Sequence, residues 1–386
     1  MRILIIPSWY PREFNKISGI FFQRQAEQLL KKKYDVVVLY PEQISLKKVF
    51  KRINKTIIKE LENGVLTYRT KNINYFSRLP KFKKKDTEKQ IERLYNSYLE
   101  DNDPPDIIHA HSCLYGGVAA VHLGEKYNIP VIVTEHSSKV GKGDLTGFEK
   151  KIFNEALNKC NRIITVSKEL ELSIKTNGRI LTDIEVVPNS IEVKNYKSNK
   201  IYDEKLFTFG SLCFLNKNKN IDLLIQAFTK AFKNKNVELI IGGDGPEKKS
   251  LTDLVNKHEM SEQIKFTGLI KNTSVPEFLD EIDVFVSSSK YETFGVVIIE
   301  ALASGKPVVS TRSGGPNSII NEHNGLLANV DDINDLSMKM QYIRENYKKY
   351  NHSEIIETTR REYDHEIVIE QIGKVYKGVV NNEYKT

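Results

Sequence analysis

Glu292 and Glu300 stand eight positions apart in the stretch VFVSSSKYETFGVVIIEALASGKPVV, residues 284–309. This stretch reads as a buried strand, a short polar loop and the start of a helix. The first peptide N–H groups of a helix have no acceptor within it and carry the positive end of its dipole. Those at Phe294, Gly295 and Val296 can therefore hold an anion. A carboxylate on either side can accept hydrogen bonds from hydroxyl groups. A ligand that is part phosphate and part sugar suits this pairing. Glu300 follows Val296-Val297-Ile298-Ile299 and precedes Ala301-Leu302-Ala303, apolar surroundings in which a charge is paired or functional. Gly295 lets a backbone approach a ligand closely. The ordinary alternative is a loop acid and a solvated helix acid.

Other candidates lie in two places. Asn216-Lys217-Asn218-Lys219-Asn220 is a cationic loop after an apolar run, and either lysine could neutralise a phosphate or simply be solvated. In the first half, His109-Ala-His111 and His136 follow apolar runs. Alternation buries His109 as a structural residue and leaves His111 at a strand tip. No metal is expected, because His-x-His has no carboxylate or thiolate partner nearby in sequence. Asp101-Asn-Asp103 looks like a metal-binding DxD, but it sits in a Pro-rich turn ahead of a strand. Gly242-Gly-Asp-Gly is only part of a dinucleotide fingerprint, and no Walker A loop occurs.

The elements that must position these residues repeat one pattern. Apolar runs at 2–6, 35–39, 106–110, 131–134, 162–166 and 184–187 alternate with helical patterns at 21–32, 117–127 and 148–159. A polar stretch at 195–204 interrupts the pattern, which then resumes with strands at 207–212, 237–242, 264–267, 284–287 and 307–310. Near-continuous apolar strands between helices imply parallel sheets covered on both faces. The expected fold class is α/β, with two Rossmann-like doubly wound domains, 1–194 and 195–363, facing a central cleft. A last helix near 364–380 follows the second set of strands, and the segment 364–386 is expected to pack back on the first domain.

Composition sets further bounds. The chain has 386 residues, 40% hydrophobic, enough for two packed cores. Residues 1–190 hold 32 Lys+Arg against 22 Asp+Glu, and residues 45–95 alone hold 15 against 5. A basic patch confined to one segment points to one anionic surface or partner, not to nucleic acid. Within it, Val49, Phe50, Ile53, Ile57 and Leu61 share one helical face, with Lys48, Lys51, Arg52, Lys55 and Lys59 around it. Such a helix can lie in an anionic lipid interface or pack on the first sheet, and both readings stay open. Three scattered cysteines suit a reducing compartment, and the apolar run 3–6 is too short for a signal peptide or membrane span. The expectation is a cytoplasmic protein, at most peripheral to the inner face of a membrane.

The segment from Glu292 to Glu300, followed by Ser304-Gly305-Lys306-Pro307-Val308, resembles the E-x7-E signature of retaining GT-B glycosyltransferases of the group 1 (family 4) type. Pro188-Asn189-Ser190-Ile191, the helix 221–228, Gly242 to Glu247, Phe266-Thr267-Gly268, Ser313-Gly314-Gly315 and Asn324 to Leu327 agree in order. Ser18-Gly19-Ile20-Phe21 resembles the family's glycine loop. The resemblance implies a nucleotide-diphosphate sugar donor, a UDP-sugar favoured, a glycan or lipid-linked acceptor, and no cofactor. It gives the ribose hydroxyls to Glu300, the transferred sugar to Glu292, and phosphate and sugar oxygens to the N–H groups from Phe294 to Val297. Gly19 would let the first-domain loop approach the diphosphate. Gly243 and Leu269 lie in loops that would select base and sugar. His136 would act near donor sugar and acceptor, with His111 at the acceptor. The family's phosphate-binding arginine is replaced by Ser211, so Lys219, with Lys217 as competitor, would carry more of the charge. Two rivals are a GT-B enzyme of another class, such as a nucleotide-sugar epimerase, and a non-catalytic partner of an active transferase.

Overall fold

The computed structural model describes residues 1–13, 15, 18–44, 56–73, 79–197 and 206–381. The chain divides into two compact units. One comprises Met1–Val187 with Ile369–Thr386, the other Pro188–Val368.

The first unit holds strands β1 (Arg2–Pro7), β2 (Asp35–Ile44), β3 (Ile58–Glu62), β4 (Val65–Ile73), β5 (Ile107–His111), β6 (Val131–Glu135), β7 (Arg162–Thr165) and β8 (Ile184–Val186). They form one sheet in the order β3-β4-β2-β1-β5-β6-β7-β8, parallel except where β3 meets β4. Ile3 to Ile6 are fully buried because helices cover both faces, which is why β1 reads as a continuous apolar run. The helix His365–Val380 supplies Tyr376 to this core, where its hydroxyl lies 2.6 Å from His109 Nδ1.

The second unit holds β9 (Phe207–Leu212), β10 (Val237–Gly242), β11 (Ile264–Gly268), β12 (Val284–Ser287), β13 (Val308–Thr311) and β14 (Gly325–Ala328). Their order is β11-β10-β9-β12-β13-β14, with every pairing parallel. The helix Ile221–Phe232 buries Leu224, Ile225, Ala227 and Phe228 beneath this sheet, with Phe228 and Phe232 against Phe209. Ile191 sits in this unit too: its N–H donates to Tyr363 O at 3.0 Å and its carbonyl accepts from His365 N at 2.9 Å.

The amphipathic helix expected at 45–61 needs correction. Residues 45–55 lie outside the described residues, as does most of the expected linker. Ile58–Glu62, however, is an edge strand, with Leu61 72% exposed. Asn63 (φ 52°) and Gly64 (φ 87°) form a tight turn into β4, the left-handed pair that a two-residue hairpin requires. Backbone pairing to β4 outweighed the i, i+4 spacing of Ile57 and Leu61. The two acids of the DxD-like turn serve as surface partners: Asp101 lies 2.7 Å from Lys59 Nζ and Asp103 3.7 Å from Arg2.

Candidate active site

In the second unit β9 lies between β10 and β12, so chain order reverses at β9. Ligands of open parallel sheets bind beyond the strand C-termini at such a point. The loops after β9 and β12 carry Lys219 and Glu292. Lys219 Nζ ion-pairs with Glu292 Oε1, and Ser289 Oγ donates to the same oxygen at 2.7 Å. The lysine loop is held tightly. Asn216 Oδ1 accepts from the N–H groups of Asn218 and Lys219 at 3.0 and 3.2 Å, and Ser288 Oγ donates to Lys219 O at 2.8 Å. Lys217 goes elsewhere: it lines a cavity of about 340 Å³ with Asn216, Asp222, Glu247 and Lys290.

Glu292 is fixed by its backbone. Its N–H donates to Ser313 O, and its carbonyl accepts from Gly315 N, both at 2.8 Å. Gly314 has φ 111°, and a Cβ there would stand 2.6 Å from Glu292 O, so this close approach needs glycine. Gly295, at φ 104°, turns the chain into the helix Val296–Ala303, whose first N–H groups point out of the helix start. Phe294 is buried and packs edge-on against Tyr363. Glu300 Oε1 accepts from the Tyr196 hydroxyl at 2.8 Å.

The remaining donor-side candidates spread further. Gly243 (φ 132°) donates its N–H to Gly268 O at 2.7 Å, and its missing Cβ leaves room for Cys213 O. Leu269 is exposed beyond β11, whereas Ser211 is buried within β9 opposite Ile241. Cys213 lies close enough to feel the ion pair. Burial pushes its thiol up to about 11, with Lys219 opposing and Glu292 reinforcing the shift.

In the first unit the reversal falls at β1, between β2 and β5. Gly19 (φ 76°) caps the helix Ile20–Lys31, and a Cβ there would lie 2.7 Å from Trp9 O. His111 ends β5, and His136 follows β6. Their rings meet, with His111 Nδ1 3.3 Å from His136 Nε2. Phe22 stacks on His111 at 4.4 Å, and Phe21 lies 5.3 Å from His136. His109 is structural, bound to Tyr376 and to Thr134 Oγ1 at 2.6 Å, and burial pushes it down to about 3. His111 stands at the strand tip as expected, and it is nonetheless 0% exposed. Alternation does not separate the two histidines, because residues two apart on a strand share a face, and their rings lie 4.4 Å apart. Burial, then the neighbouring His109 and His136, hold His111 well below the ordinary histidine range.

Glu135 escaped the sequence reading. Its buried carboxylate accepts from the N–H groups of Cys113 (2.8 Å), His136 (2.8 Å) and Ser137 (2.6 Å), tying together the loops after β5 and β6. An acid ahead of His136 was the available signal, but its burial follows only from the sheet. Ser289 and Tyr196 were also unforeseen, since a lone hydroxyl carries no spacing signal. Among the described residues, no three His, Cys, Asp or Glu side chains group to hold a metal ion, and no helix is long and apolar enough to cross a membrane.

Each unit thus gathers polar groups at the C-terminal ends of a Rossmann-like sheet, the design of a nucleotide-using α/β protein. Comparison with known proteins makes this specific. Residues 193–361 match the model of the glycosyl transferases group 1, and residues 18–195 match that of glycosyltransferase family 4. An uncharacterized glycosyltransferase of Methanocaldococcus jannaschii is 30% identical over 73% of this chain and 80% of its own length. A glycosyltransferase of Bacillus subtilis, assigned to teichuronic acid biosynthesis, is 27% identical over 92% of this chain and 90% of its own. Anabaena HepE, solved with UDP and glucose, superposes with a TM-score of 0.74 at 16% identity, over 98% of this chain and all of that one. The chain belongs to the group 1 glycosyltransferases and has the GT-B fold.

Proposed function

We propose that this glycosyltransferase moves a sugar from a nucleotide-diphosphate sugar, a UDP-sugar favoured, to a glycan or lipid-linked acceptor with retention of configuration. The setting we propose is assembly of a bacterial surface polysaccharide or glycolipid in the cytoplasm. The observation that carries this reading is the Lys219–Glu292 ion pair beside the Gly295 helix start. A cation, a carboxylate and free peptide N–H groups converge there, and a departing diphosphate and a sugar hydroxyl need those groups. The bond from the anomeric carbon to the diphosphate oxygen breaks as the acceptor oxygen bonds to the same face. The acceptor's proton passes to the leaving phosphate oxygen. Lys219 and the N–H groups of Val296 and Val297 offset the charge that develops on the phosphates. Glu292 orients the transferred sugar and Glu300 the ribose. In the first unit, His136 faces the acceptor, with the buried His111 behind it and Glu135 fixing its loop. No metal or cofactor has a role in this scheme.

The B. subtilis relative supports the polysaccharide setting, and UDP bound to the Anabaena neighbour supports the donor base. The basic stretch 45–95 belongs to the same proposal as a contact for an anionic membrane surface. A panel of nucleotide sugars screened for thermal stabilisation tests the donor assignment. A donor at 100 times its dissociation constant adds about 2.7 kcal/mol. UDP-sugars are expected to stabilise the chain, and a panel with no stabilising member refutes the reading.

A further inference from the structure

The helix Pro80–Leu99 opens with Lys81, Lys83, Lys84 and Lys85 and has no acid in its first turn. Two of these lysines differ sharply. Lys84 is satisfied, with Nζ 2.7 Å from Glu155 and 3.4 Å from Glu88. Lys83 instead lies 3.6 Å from the centroid of the Tyr115 ring. No described carboxylate comes within the 4.0 Å of an ion pair to it. The acid whose charge reaches it, Glu149, is already engaged: Oε1 takes Lys139 Nζ, and Oε2 takes the N–H and hydroxyl of Thr146 at 2.9 and 2.8 Å. Lys139 also bears on Lys83, less strongly than Glu149, to which it is itself ion-paired. A ring face attracts a cation but leaves the three ammonium donors without oxygen acceptors.

The place is as telling as the charge. Tyr115 lies in the turn Cys113–Gly117 just after β5, and Lys139 follows β6, both at the ligand-binding end of the first sheet. Tyr115 has φ 60° and ψ −61°, a conformation that costs a non-glycine residue about 1–3 kcal/mol and persists where surroundings enforce it. Burial also holds the Lys83 ammonium below the usual lysine range, as expected of a cation kept partly dry for a partner.

We infer that Lys83, seated on the Tyr115 ring and flanked by Lys139, binds a phosphate group carried by the acceptor. This rests on the reading of the first unit as acceptor-binding. An ammonium group with no described carboxylate of its own suits a phosphate oxygen, an anionic acceptor in monoester and diester alike. The same chemistry fits a soluble glycosyl phosphate and a phospholipid headgroup.

Residue-resolved acylation of lysines in the full chain, read by mass spectrometry, tests the inference. The soluble probes are glycerol phosphate and neutral glycerol. The lipid probes are vesicles of phosphatidylglycerol and of phosphatidylcholine. Several-fold slower modification of Lys83 with glycerol phosphate, and not with glycerol, is expected for a soluble phosphate. Protection only by phosphatidylglycerol vesicles assigns the phosphate to a lipid headgroup. Lys265, paired with Glu238 in the second unit, should react equally throughout. Lys83→Met should weaken glycerol phosphate or phosphatidylglycerol binding by roughly tenfold or more, the loss of one charge-assisted hydrogen bond, while UDP affinity is kept. Equal Lys83 modification with all four probes, or unchanged phosphate binding by Lys83→Met, overturns the inference. Failure of the wild-type chain to bind UDP would instead remove the donor reading and leave the Lys83 result standing.

Discussion

Replacing Lys219 by Met keeps the length of the side chain and removes the cation facing Glu292. In the free protein, Glu292 retains the Ser289 hydroxyl at 2.7 Å, so it does not become an orphaned charge. The stability cost is accordingly small, about 1 kcal/mol, because the pair is only partly buried. The effect on ligand is larger. A charge-assisted hydrogen bond to a phosphate is worth about 1.5–3 kcal/mol, and each 1.4 kcal/mol is tenfold in affinity. The dissociation constant for UDP should therefore rise roughly 10- to 150-fold. Transfer should fall further, by about 10² to 10³ in kcat/KM, since the leaving diphosphate is more charged in the transition state than in the ground state. Titration calorimetry with UDP measures the first effect. Lys217→Met is the control, because Lys217 lines the separate cavity with Asp222 and Glu247. Near wild-type UDP affinity in Lys219→Met, with a clear loss in Lys217→Met, would move the diphosphate to the other lysine and refute the reasoning.

Gly243→Ala should destabilise the second unit by about 1–3 kcal/mol and weaken UDP binding, because φ 132° is strained for alanine and the new Cβ would meet Cys213 O at 1.8 Å. Urea melts check this, and an unchanged midpoint contradicts it. Tyr196→Phe removes the donor to Glu300 Oε1 and should weaken UDP binding roughly 2- to 10-fold, about 0.5–1.5 kcal/mol, whereas tighter binding would mean the tyrosine competes with the ribose. His109, at about 3 in the fold against an ordinary 6.5, is neutral in the folded state, while the unfolded chain takes up a proton below 6.5. Its contribution to stability is intact above pH 6.5 and is lost as pH falls toward 3, by about 1.4 kcal/mol per pH unit. His109→Gln should flatten that limb by one proton in urea melts at pH 6 and below, and an unchanged slope sinks the assignment.

The parts legible in the sequence were those with a strong period or a rigid spacing. Runs such as Ile3 to Ile6 and Val284 to Val286 announced parallel strands, because burial on both faces leaves no room for polar alternation. Gly295 and the Glu292–Glu300 spacing marked a helix start from local chemistry alone. The β3–β4 hairpin was missed although Asn63-Gly64 is a hairpin signal, because lysines and isoleucines around it also fit a helical wheel. His111 lies at the strand tip as its place after an apolar run implied, but its full burial follows only from the packed sheet around it. Glu135, Ser289 and Tyr196 became visible only when the sheets brought distant loops together, which no spacing along the chain encodes.

The central claim is retaining transfer at the Lys219–Glu292 site. Proton NMR of the product formed by the purified chain from an α-linked UDP-sugar and its acceptor tests it most directly. The account predicts an α-glycoside, shown by the small coupling between the first two sugar protons, and loss of product in Glu292→Gln. A β-glycoside, an epimerised nucleotide sugar with no glycoside, or undiminished product from Glu292→Gln would contradict it.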